Sequence, residues 1–284
     1  MTLSDSNYTA AKITVLKGLE PVRKRPAMYI GSTDAHGLHH LLWEILDNAV
    51  DEAINGYASF IEVVLHKDAE SFTVTDNGRG IPVGLHPVEK RSALELILTT
   101  LHAGGKFEQG NYQRSGGLHG VGSSVVNALS TKLIATIKRD GKLHRQEYRR
   151  GIPQSDVQEI GPATGTGTSI FARPDAEIFE DTTFDPDFVA ERLEMKSYLT
   201  AGLRIVFKDE TQSVRHEFKH ENGISDYLEK IIGNSTAAVI HPELIRFNSQ
   251  ASGDSDVTVD VCLQWTEETT ESVQSFANGI PTVD

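Results

Sequence analysis

The chain has 284 residues, 27 Lys and Arg against 40 Asp and Glu, and a formal net charge of −13. That balance speaks against a surface given over wholly to nucleic acid, although local basic patches remain compatible with it. Hydrophobic content of 38% and 24% charged residues suit a soluble globular protein with one large or two modest domains. The lone Cys262 excludes an internal disulfide and multi-cysteine zinc sites, and fits a reducing, cytoplasmic compartment. No apolar run approaches membrane-spanning length, and residues 1–10 have no signal-peptide core.

In chain order, residues 1–12 read as a polar arm, and Ile13 to Leu19 is apolar at roughly helical spacing. From 38 to 55 the period is that of a helix. Leu42, Ile45, Leu46, Ala49, Val50 and Ala53 crowd one face, and Glu44, Asp47, Asn48 and Asp51 fall on the other. Strands are expected over 60–66 and 71–75, where β-branched and aromatic residues concentrate. A helix is expected over 92–102, then a glycine-rich segment from 104 to 122 and a short helix over 123–129. Leu133 to Arg139 and Leu143 to Arg149, joined by Asp140-Gly141, have hairpin turn chemistry. A strand over 168–172, a helix over 187–199 and a strand over 203–207 follow. Turn residues at 209–213 and 220–223 suggest a boundary near 220, with a helix over 224–232 and strands over 257–265 and 272–276 beyond it. With no element after the last strand, the chain reads as ending inside a second domain.

Three motifs carry chemistry. Glu44 and Asn48, four apart on a helix, stand one above the other. A carboxylate there can take a proton from an attacking water, and an amide oxygen can ligate Mg²⁺ whose other positions are filled by phosphates. A solvated acidic helix face is the plain alternative. Asp76-Asn77-Gly78-Arg79-Gly80 places an acid at a strand end, where it can accept from an exocyclic amine such as that of adenine, or merely form a β-turn. Arg79 can touch ligand or pair with a helix acid such as Glu52. Gly104, Gly105, Gly110, Gly116, Gly117, Gly120 and Gly122 let backbone approach a polyphosphate ahead of a helix start. The interleaved Phe107, Tyr112, Leu118 and Val121 weaken a reading as simple linker. Neither a P-loop nor a dinucleotide fingerprint is present. His36, His39 and His40 lack a completing acid or cysteine for a metal set and read as packed or exposed.

In this order the motifs resemble the GHKL ATPases, the fold of gyrase, chaperone, histidine-kinase and mismatch-repair proteins. The strings 17–26, Met28-Tyr29-Ile30-Gly31, Leu101 to Phe107 and Ser115 to Asn127 are similar to the B-subunit family of bacterial DNA gyrases. Topoisomerase IV, a close paralogue, shares most of them; a MutL-like clamp is the more remote alternative.

The resemblance implies an α+β fold, a Bergerat two-layer α/β sandwich with a mixed, mostly antiparallel sheet. It implies an N-terminal arm over 1–15, an ATP-binding domain over 16–220, and the start of a ribosomal-S5-like transducer domain over 221–284. Glu44 would be the general base, Asn48 the Mg²⁺ ligand and Asp76 the adenine reader. Gly78, Ile81, Pro82 and Thr168 would line the adenine pocket. Gly104, Gly105, Lys106, Gly117, Leu118, His119, Gly120, Val121 and Gly122 would wrap the phosphates. Arg79 and Arg139 would stand at the mouth, where aminocoumarins overlap ATP at Asp76 and Thr168. Tyr8 and Ile13 would reach the nucleotide pocket of a second such chain. The implied activity is ATP-driven dimer closure coupled to DNA strand passage and negative supercoiling, with a gyrase A subunit and double-stranded DNA as holoenzyme partners and no membrane. One departure stands out: the family's Gln-Thr-Lys loop is absent, and Ser130-Thr131-Lys132 sits at a strand start. The expectation is a chain that binds ATP, turns it over poorly and dimerises weakly.

Overall fold

A computed structural model describes residues 16–104, 120–250 and 257–282. Before the sheet come α1 (Glu20–Lys24), α2 (Ala27–Ile30) and the long α3 (Ala35–Ile54). The first strands, β1 (Phe60–Leu65) and β2 (Phe72–Asp76), precede α4 (Ala93–Thr99) and α5 (Gly122–Ala128). Then come β3 (Ser130–Arg139), β4 (Lys142–Arg149), β5 (Ile152–Pro153), β6 (Gln158–Pro162) and β7 (Gly167–Pro174). Helix α6 (Pro186–Leu199) leads to β8 (Arg204–Asp209) and β9 (Val214–Phe218). The remainder is α7 (Ile224–Gly233), β10 (Ile245–Gln250), β11 (Thr258–Leu263), β12 (Phe276–Ala277) and β13 (Ile280–Pro281).

Nine strands form one sheet in the order β5-β4-β3-β7-β2-β1-β8-β9, with β6 also on β4. Only β1 and β8 run parallel; every other pair described in this sheet is antiparallel. This is the mixed, mostly antiparallel α+β sheet expected. The hairpin between β3 and β4 turns at Asp140 and Gly141, both at positive φ, as a two-residue primed turn requires.

Pleating decides what the helices cover. Leu65, Phe72, Ala172 and Leu133 lie side by side in one row, and Val63, Val74, Ile170 and Ala135 in the next. All eight are buried. Helices α3, α5 and α6 pack on this sheet. Leu38, Leu41, Leu42, Leu46, Ala49 and Val50 supply the apolar face of α3, and Asp34 caps its start by accepting from the amides of His36 and Gly37. His39 is buried with them. Its Nδ1 donates to Ala35 O and its Nε2 accepts from Asp185 N, which locks one ring tautomer and ties α3 to the start of α6.

Four differences from the sequence-based expectation have physical causes. The polar side of α3 is not wholly solvated: Asp51 is 1% exposed, because that side meets other protein. Strand β9 reads VRHEF, charged on an exposed sheet edge, so it carries no apolar alternation. Strand β10 is likewise an addition, its Ile245 and Phe247 being exposed rather than packed. The strand expected over 272–276 is only the pair Phe276–Ala277, turned by Asn278 and Gly279 at positive φ onto Ile280–Pro281. Among the described residues no helix is long and apolar enough to cross a membrane.

The core predicts its own sensitivity. Leu46→Ala, on the fully buried face of α3, should cost about 2–5 kcal/mol in urea unfolding. Leu85→Ala, at a side chain 74% exposed, should stay within about 0.5 kcal/mol.

Candidate functional site

The next row of the sheet holds Ile61, Asp76, Thr168 and Ile137, on the helix-covered face that the preceding rows fill with apolar side chains. The pleat therefore aims the Asp76 carboxylate into the protein, where it is only 9% exposed. Its Oδ1 accepts from Gly78 N at 2.8 Å and Thr168 N at 3.3 Å. Loss of water outweighs these donors, and the negative charge of Glu52 adds to it, so the carboxyl is pushed up to about 6. A buried acid with so few donors is suited to accept from a ligand.

Around it the 76–80 turn is tightly built. Asn77 accepts through Oδ1 from the amides of Ser59 and Phe60, a structural clamp on the start of β1. Gly80 has a φ of 74°, and a Cβ there would lie 2.7 Å from Lys138 O. Thr168 Oγ1 accepts from Ile81 N at 3.3 Å. Ile81 is half-buried and Pro82 exposed.

Arg79 and Glu52 form a two-point pair: Nη2 to Oε1 at 2.7 Å and Nε to Oε2 at 3.1 Å, with Arg79 N also donating to Oε2 at 2.9 Å. The guanidinium lies 3.6 Å from the Tyr57 ring centroid. Arg79 is thus paired with a helix acid, the structural alternative considered from the sequence. Arg139 Nη1 donates to Gly80 O at 2.6 Å and holds the turn from the β3 side.

At the other end of the site, Glu44 Oε1 meets His40 Nε2 at 3.0 Å, one helical turn away. From the sequence the histidine cluster reads as packing or exposure; His39 does pack, but His40 orients the acid. The signal for this role is the four-residue spacing to Glu44, outside any metal pattern. Asn48 Nδ2 donates to Glu44 O at 2.8 Å and to Ser123 Oγ at 3.1 Å, so the amide is oriented by its nitrogen end. Gly122 opens α5 directly against the acid: a Cβ on it would stand 1.8 Å from Glu44 Oε2. Helix α5 starts without a side-chain cap. Gly104, Gly120 and Val121 are half-buried. Tyr8, Ile13, Gly105, Lys106, Gly117, Leu118 and His119 lie outside the described residues.

Helix α3 therefore meets the acid-bearing turn at Glu52 and the glycine segment at Glu44. The helical rise between these two positions amounts to about 12 Å along the axis. Asn48 lies midway between them. Among the described residues no cluster of three or more His, Cys, Asp or Glu could cage a metal. A divalent cation here would lean on ligand phosphates, as Mg²⁺ does with one or two protein ligands.

Residues 33–178, just over half of the chain, match the family model described as histidine kinase-, DNA gyrase B-, and HSP90-like ATPase. The chain belongs to this ATPase family. Residues 223–284 match a second model, DNA gyrase B. The chain is 49% identical to the B subunit of DNA gyrase from Thermotoga maritima and 48% identical to that of Halalkalibacterium halodurans. These alignments cover 98% and 99% of this chain, but 44% of each relative. The chain thus spans less than half the length of the curated relatives it matches. Its fold superposes with a TM-score of 0.82 on a crystal structure of the 43K ATPase domain of Thermus thermophilus gyrase B in complex with an aminocoumarin. That likeness is 39% identical and covers 93% of this chain and 66% of the other. As in other members of the ATPase family, nucleotide binding is the property of the domain.

The burial of Asp76 has a measurable pH signature. Its folded carboxyl titrates near 6 against 3.8 for an ordinary one. Its contribution to stability is present below the ordinary value and lost as pH rises through about 6. Asp76→Asn should therefore gain on the wild type by about 3 kcal/mol between those limits when ligand is absent, read as urea midpoints across pH. A constant difference across that window would contradict the burial argument. The close approach at the other end is open to a double-variant test. Gly122→Ala should destabilise by about 1–3 kcal/mol, and Glu44→Ala should relieve most of that loss by removing the clashing atoms.

Proposed function

We propose that this chain is the ATP-binding and ATP-hydrolysing region of a gyrase-type B subunit. The observation that carries the proposal is the division of labour along α3. An acid-bearing turn buried for a base lies at one end, and a histidine-oriented carboxylate lies at the other, about 12 Å along the helix.

In this reading the Asp76 carboxylate accepts from the adenine amine, replacing the water it lost on folding, and Thr168 and Gly78 frame the ring. Ile81 and Pro82 flank the ring's edge. Glu44 takes the proton of a water placed for attack on the terminal phosphate, and His40 fixes the carboxylate for that transfer. Asn48 would hold Mg²⁺ through its amide oxygen, as its nitrogen is committed to Glu44 O and Ser123 Oγ. When bound, Mg²⁺ supplies charge neutralisation on the phosphates. Gly104, Gly105, Lys106 and the 117–122 stretch are the residues assigned to the phosphates. Arg79 and Arg139, fixed by Glu52 and Gly80 O, present a rigid rim to ATP and to aminocoumarins. Tyr8 completes the pocket of a second copy.

The remaining assignments extend from the same reading. Residues 1–15 form an arm, 16–220 the nucleotide domain and 221–284 part of a transducer domain. The partners are a second gyrase-type B subunit, a gyrase A subunit and double-stranded DNA in a cytoplasmic holoenzyme. ATP closes the dimer through its greater affinity for the closed state, and closure drives strand passage.

Glu44→Ala in a chain extended through the Gln-Thr-Lys loop should leave ATP-analogue affinity nearly intact and cut turnover by about 10²–10⁴. A matching loss of binding would mark Glu44 as structural. Asp76→Asn should weaken ATP and aminocoumarin together by on the order of 10–100-fold. ATP-dependent supercoiling with a gyrase A subunit separates this reading from a clamp without topoisomerase activity.

A further inference from the structure

Among the described residues Lys196 is the one lysine that is buried, 2% exposed near the end of α6. Its Nζ lies 2.6 Å from Asp47 Oδ1 on α3 and donates to Gly279 O at 3.0 Å. Asp47 Oδ1 is itself buried and makes no hydrogen bond among the described residues, so its tie to Lys196 is an ion pair. A helix position facing two other elements is most simply filled by an apolar side chain, because burying an ammonium costs more than a well-packed methyl group. Here the cation joins three separate segments at one point: the helix carrying Glu44 and Asn48, the helix packed on β8, and the turn between β12 and β13.

The position of Asp47 gives the contact its consequence. It lies three residues from Glu44 and one from Asn48, so a pull on Asp47 acts on the helical turn that presents both. Gly279 lies in the part of the chain that matches the second family model, outside the nine-stranded sheet. The ammonium thus has one acceptor on the nucleotide helix and one on the second module. A shift of either withdraws a partner from a buried charge, and an unpaired buried charge is strongly disfavoured.

We infer that Lys196 is a positioning residue that acts through Asp47 on the Glu44–Asn48 turn and couples nucleotide occupancy to the placement of the 276–281 hairpin. The inference rests on the reading of Glu44 and Asn48 as the phosphate end of the site.

The test is amide exchange of the 276–281 hairpin in this chain, with and without a saturating non-hydrolysable ATP analogue and Mg²⁺. In the wild type the analogue should slow hairpin exchange by at least about fivefold, the lower range of coupling between sites. Lys196→Met should abolish that response. Its loss of analogue affinity should not exceed the factor by which the analogue slows hairpin exchange in the wild type, because the coupling is reciprocal. If that variant does not fold, Asp47→Asn cuts the same link with the lysine retained and should show the same loss. The double variant should behave like either single one. A hairpin that still responds in the variants, or never responds in a wild type that binds the analogue, overturns the inference alone. Turnover lost with analogue affinity kept in Glu44→Ala shows that the reading of the phosphate end stands. A wild type that binds no analogue brings down that reading and this inference with it.

Discussion

The site depends on one helix whose two sides are both packed. The apolar side of α3 is the centre of the core, and its other side carries Glu44, Asp47, Asn48, Asp51 and Glu52 within nine residues. Four carboxylates so close on one helix repel each other. Lys196 meets Asp47 and Arg79 meets Glu52 from other parts of the chain, while His40 on the same helix meets Glu44. The repulsion is met in part by tying the helix to its surroundings, and those ties hold the turn and α6 against it. A helix with a solvated acidic face would have no such anchors.

Asp76 shows the same trade from the sheet. The strand period puts it on the core face, where an apolar residue would be more stable. Its carboxyl, pushed up to about 6, records the cost, and the two backbone amides that hold it offset only part. In the proposed function a ligand amine would supply the missing donor. The group that destabilises the empty fold is then the one that favours the filled one, an arrangement common where binding sites are kept at the expense of stability.

Much of this is legible in the residues themselves, and the exceptions share a cause. The apolar period of α3, the hairpin at Asp140-Gly141 and the glycine turn after Asp76 follow from local rules, and their structural positions agree within a residue or a few. What local rules do not carry is the partner across the fold. Nothing around Asp51 announces that it is buried, and nothing around Lys196 distinguishes it from a surface lysine on a helix. Arg79 can be suspected of pairing with Glu52 because chemistry alone already places the turn and the helix in one pocket. His40 escapes notice because a histidine cluster invites comparison with metal patterns, whereas its partner is an acid one turn away. Strands β9 and β10 lack the buried alternation that makes a strand visible, since one lies at a charged edge and the other exposes its apolar residues.

These long-range ties also explain why the site tolerates so little slack. Gly122 leaves no room for a methyl group beside Glu44, and the Gly80 carbonyl is held by Arg139 from β3. The two ends of the site are thus set from different strands and helices, with α3 as the element that touches both. A rigid rod of fixed rise measures the interval between them more reliably than loops can. The interval between the two contacts is in this sense written into the spacing from Glu44 to Glu52. Inserting one residue into that interval would rotate Glu52 away from Arg79 by about 100° relative to Glu44. Such a change would break the rim while leaving every individual motif intact, which is why the spacing, more than any single residue, defines the site.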